Sequence, residues 1–65
     1  MDRLQAELEQ LVDNSSLEQV LEALSAVAFL KSEHISVHWQ DRTLAGAWEA
    51  SAKLLDKAAY AARGI

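Results

Sequence analysis

Two histidines four residues apart, His34 and His38, are the side chains of this sequence best suited to chemistry. On a helix an i,i+4 pair brings two imidazoles to one face, the spacing that helical zinc sites use. If the helix ran a further half turn, Asp41 would lie near His34 in projection and complete a three-ligand set. Three features oppose that reading. Glu33 projects about 100° or more away from both imidazoles at the helical repeat. Lys31 projects beside His38, where a fixed ammonium repels a bound cation. No third histidine and no cysteine exists to finish a tight site. The expectation is therefore that no metal is held and no cofactor is needed, with the histidines partly buried near a helix end where imidazolium suits the dipole.

Other chemistries find less support. Serines stand at positions 15, 16, 25, 32, 36 and 51, but none sits in a glycine-flanked nucleophile turn. Carboxylate pairs such as Glu18 and Glu22 fall on a charged helix face, the usual place for such residues. There is neither a phosphate-cradling glycine loop nor a basic aromatic patch. A short helical chain also offers little concavity for a substrate. The expectation is a protein that is not an enzyme and has no catalytic residues.

The elements that carry these residues follow from capping and periodicity. The chain has 65 residues, no proline and no cysteine, and glycine only at Gly46 and Gly64. That length makes a single domain, 1–65, and a core of limited size. Disulfides and thiolate metal sites are excluded, so regular helix packing or oligomerisation must supply stability. In "VDNSSLEQ", Asn14 is placed to close one helix in the left-handed conformation. Ser15 or Ser16 then caps the next, with Glu18 or Gln19 positioned to complete a capping box.

Helix 1 is expected over about 2–13, with Leu4, Leu8, Leu11 and Val12 on one stripe. Helix 2 is expected over about 17–39. At about 100° per residue, Leu17, Val20, Leu21, Leu24, Val27, Ala28, Ile35 and Trp39 fall in one arc of about 120°. Helix 3 is expected over about 43–63, ending at Gly64. Its charged residues share one face with Tyr60, and its leucines and alanines spread over an arc of about 200°. Asp41 or Thr43 can cap helix 3, with Trp39 packed over the junction. The fold class is all-α: an antiparallel helical hairpin with a short N-terminal helix, forming a three-helix bundle or a dimeric four-helix-type assembly.

Three segments, "SLEQVLEALSAV", "KSEHISVHWQD" and "LAGAWEASAKLLDKAA", together resemble a group of small uncharacterised bacterial and phage-associated helical proteins. In that group a Lys-x-Glu-His segment precedes Trp-Gln-Asp, and Trp-Glu follows in an alanine-rich helix. The resemblance covers about Ser16 to Ala62 and implies no activity. Val37-His38 makes the lead-in to the turn more apolar than the group's pattern.

Charge and hydropathy narrow the partners. The formal net charge is −4, and residues 1–30 carry six acids against Arg3 alone. That half disfavours a nucleic-acid backbone. No apolar run approaches the roughly 18 residues of a membrane span, and the N-terminus lacks the apolar core of a signal peptide. A cytoplasmic location is expected, with no nucleic acid and no membrane as partner. The informative anomaly is Phe29, Leu30 and Val37, which project away from the main stripe of helix 2. Either helix 1 folds back over them or they form a contact surface. The expected function is a helical protein-interaction module that self-associates as a dimer through Phe29, Leu30 and Val37. Two alternatives stand beside it: a mobile-element (phage-type) inhibitor or adaptor that binds a basic partner protein, and a metal-binding protein using His34 and His38.

Overall fold

The computed structural model describes residues 2–65, and all of its regular structure is helical. Helix α1 spans Arg3–Asn14, α2 spans Leu17–His34 and continues as a π turn over Ile35–Trp39, and α3 spans Arg42–Ala61. Each helix opens on a side chain that accepts a hydrogen bond from the backbone N–H three residues on. Asp2 accepts from Gln5 at 2.8 Å, Ser16 from Gln19 at 3.0 Å, and Asp41 from Leu44 at 2.9 Å. Each satisfies one of the donors a helix start leaves unpaired.

The reversals differ in detail from expectation. Asn14 ends α1 within the helix rather than in the left-handed conformation. Ser15 closes α1 with its N–H on the Leu11 carbonyl, and Ser16 alone caps α2. The left-handed residue is instead Gln40, at φ 54° and ψ 30°, which turns the chain between the π turn and α3. Asp41 caps α3 as expected, but Trp39 is not packed over the junction: it is 66% exposed. The π turn stays in contact with α3 through the buried Ile35, but Trp39 at its end points to solvent.

Helices α2 and α3 form an antiparallel hairpin whose seam is built of small residues. Ala45, Ala52 and Ala59 recur every seven positions on α3, and all three are buried. Facing them on α2 are Ser25, Ala28, Ser32 and Ile35. Ser25 donates its hydroxyl to the Ala52 carbonyl at 2.9 Å, and Ser32 donates to the Ala45 carbonyl at 2.8 Å. These two bridges lie seven residues apart on each helix, which sets the antiparallel register. A serine hydroxyl reaches the backbone of the opposite helix only if the axes come close, and alanines on the far side permit that. The sevenfold repeat keeps the seam facing its partner along the whole length.

This seam is not the stripe that periodicity favours. Leu21, Ala28 and Ile35 do face α3, but Leu24 and Val27 are 41% and 49% exposed. Two serines take the places at the seam. Side-chain size decides this: small residues on both helices interlock at short range, and both hydroxyls find acceptors, so their burial carries no unpaired polar group. Among the described residues Ile35 is the one larger side chain that is buried; Leu21, Trp48 and Leu55 are half-buried along the seam's edges.

Helix α1 contacts α2 and neither α3 nor the π turn. None of its residues is buried. It packs on α2 alone, so the three helices make an open arrangement built around the α2–α3 hairpin. The molecule measures 37 × 26 × 15 Å. With a helix about 10–12 Å across, the short dimension is little more than one helix layer. Its radius of gyration is 13.5 Å, where a compact domain of this length would have roughly 11 Å.

Candidate interaction surface

Once Ser25, Ala28 and Ser32 face α3, the opposite side of α2 presents a second ordered stripe. Val20, Ala23, Val27, Leu30 and His34 alternate three and four residues apart, the spacing that keeps side chains in line on an α-helix. Val37 follows in the π turn, set round toward Phe29, and borders depressions on both sides. Val27, Leu30 and Val37 are 49%, 65% and 63% exposed. The stripe is lined by two depressions that share Val27. Toward the start of α2, an apolar cleft of about 250 Å³ opens between the two helices, with Leu8 and Leu11 of α1 opposite Val20, Ala23, Leu24 and Val27. Toward the end, a groove of about 570 Å³ is lined by Val27, Leu30 and Val37 with His34, His38, Lys31 and Glu33.

The three apolar residues singled out from sequence separate onto two sides. Leu30 and Val37 lie on the outer stripe. Phe29 lies about 100° around the helix, in a depression of about 560 Å³ shared with Glu33, Arg42 and Glu49. That side presents three charged side chains around Phe29. Val37 also borders this depression, so the two surfaces meet at the π turn.

His34 and His38 do share a face, as their spacing requires. Their rings are in contact, with centroids 4.5 Å apart and planes inclined by 41°. Among the described residues, no cluster of three or more His, Cys, Asp or Glu side chains is placed to hold a metal ion. Asp41, the third ligand considered from sequence, is engaged as the cap of α3. Lys31 lines the same groove as both imidazoles. The arrangement is suited to apolar contact with polar edges, and the histidines supply flat, amphipathic side chains within it.

The outer stripe was not evident from periodicity alone. Its members fall partly in the main arc of helix 2 and partly opposite it, so a single-stripe reading divides them. The usable signal is the three-four alternation running unbroken from Val20 to Val37.

No protein-family model matches the chain, and neither a curated protein nor a solved structure does. Among the described residues, no helix is long and apolar enough to cross a membrane.

Proposed function

We propose that this chain is a small, non-enzymatic helical interaction module of the cytoplasm that works as a homodimer. The observation that carries the reading is its surface. The chain exposes 5140 Å², whereas a folded monomer of its mass exposes roughly 4,100 Å². The excess of roughly 1,000 Å² per copy is close to the ~800 Å² that each partner buries in a standard stable interface.

The character of that surface points the same way. The hairpin buries alanines, Ser25 and Ile35, while Leu24, Val27, Leu30 and Val37 remain exposed. Phe29 is 39% exposed, less than Leu30 and Val37. Burying such side chains between two copies removes apolar area from water at about 25 cal/mol per Å². A chain without disulfides gains more from that than from anything its own narrow seam can add.

Sedimentation velocity and light scattering across a concentration series test the reading. The expected result is a mass of twice 7.2 kDa, with reversible dissociation on dilution. A mass of one chain at every concentration would sink it.

A further inference from the structure

We propose that the second copy lays its own α2 antiparallel along the outer stripe from Val20 to Val37, with side chains of its far half entering the cleft between α1 and α2. The proposal rests on self-association and names the face and the register that carry it.

The stripe is about 26 Å long at the helical rise. Six positions at three-four spacing form a seam for one helix, and only one antiparallel register engages all six. In it Val27 of one copy meets Leu30 of the other, Val20 meets Val37, and Ala23 meets His34. The smallest side chain of the stripe then lies opposite the largest, which is what close packing requires. A parallel pairing would set His34 against His34 and Ala23 against Ala23, one crowded and the other leaving a void.

Charge favours the same direction. The first half of α2 carries Glu18 and Glu22, whereas in the second half Lys31 and Glu33 offset each other. An antiparallel pair sets each acidic half beside a half of no net charge and opposes the two helix dipoles, whereas a parallel pair sets the two acidic halves together.

The cleft accounts for the position of α1. Leu8 and Leu11 stand across from Val20 and Leu24 with space between them. In the antiparallel register Leu30, His34 and Val37 of the second copy are the side chains that reach this end. Helix α1 then serves as a wall that holds the partner's helix. Because the arrangement is twofold, both clefts are filled at once, and each substitution on the stripe counts twice. Phe29 lies on the charged side with Arg42 and Glu49 and stays outside the contact.

The native chain has no cysteine, so single cysteines report the register directly. A mixture of Val20→Cys and Val37→Cys chains should form a disulfide-linked pair under mild oxidation, while Val20→Cys alone should not cross-link to itself. Leu30→Glu should abolish the dimer, and Phe29→Glu should leave it intact. Leu30 is already exposed in the single chain, so circular dichroism of Leu30→Glu should retain its helix content. A wild-type chain that is monomeric throughout would overturn self-association itself. A dimer that survives Leu30→Glu, without the mixed cross-link, would overturn this interface alone. Self-linking of Val20→Cys would replace the antiparallel register with a parallel one.

Discussion

At the level of single residues, small side chains and caps decide local stability more than charges do. The one ion pair among the described residues, Arg3 with Glu7 at 3.2 Å, is exposed on both sides and contributes little. Ser16 is different, because its hydroxyl occupies a helix donor. Ser16→Ala should lower stability by about 1 kcal/mol, while Ser15→Ala should be nearly silent; urea melts of the two variants separate them. Gly46 offers a second test. It lies inside α3 with nothing within 4 Å of where a Cβ would stand, and its φ is not positive. Gly46→Ala should therefore raise stability by about 0.8–1 kcal/mol through helix propensity alone. A loss of stability on thermal melting would mean that the groove beside Phe29 needs the open position.

At the level of elements, the hairpin depends on how near its two axes lie. Ala52 is fully buried, and its carbonyl receives the Ser25 hydroxyl from across the seam. Ala52→Leu must force the helices apart, breaking both serine bridges, at an expected cost of about 1–3 kcal/mol or more. Ser25→Ala removes one neutral hydrogen bond and keeps the seam narrow, so it should cost no more than about 1.5 kcal/mol. The ranking is checked by denaturant unfolding, and equal losses would mean that closeness of approach is not what the seam selects. Helix α1 stands apart from this unit. A helix of twelve residues is marginal without tertiary support. Its amides should exchange with solvent much faster than those at the seam in dilute protein, and should gain protection as concentration rises. Hydrogen exchange that is independent of concentration would detach α1 from any partner contact.

At the level of the whole molecule, a layer 15 Å thick leaves apolar side chains on both of its outer surfaces. If copies share those surfaces, stability is tied to mass action. The melting temperature should rise with protein concentration across the micromolar range, and Leu30→Glu should remove the dependence. A midpoint constant over a hundredfold dilution would identify the single hairpin as the stable unit. The His34–His38 pair belongs to this scale as well, since its rings line the groove beside the stripe.

Three helices, their order and nearly all of their boundaries are written in short-range features of the sequence. Asp2, Ser16 and Asp41 sit where a helix needs an acceptor, and apolar residues repeat at the helical period between them. Those signals are local because they arise within one or two turns of backbone. Which face of α2 meets α3 is not local. Leucines and valines outweigh serines and alanines in any hydropathy pattern, yet the tertiary structure seats Ser25 and Ser32 in the seam. Two helices approach most closely where both are small, and there each hydroxyl reaches a carbonyl of the opposite helix. That choice turned Val27, Leu30 and Val37 outward, left Trp39 exposed, and put Phe29 among charges. The position of α1 was likewise decided by packing: its leucines mark one apolar stripe, but only the fold determines that the stripe faces an open cleft rather than a closed core.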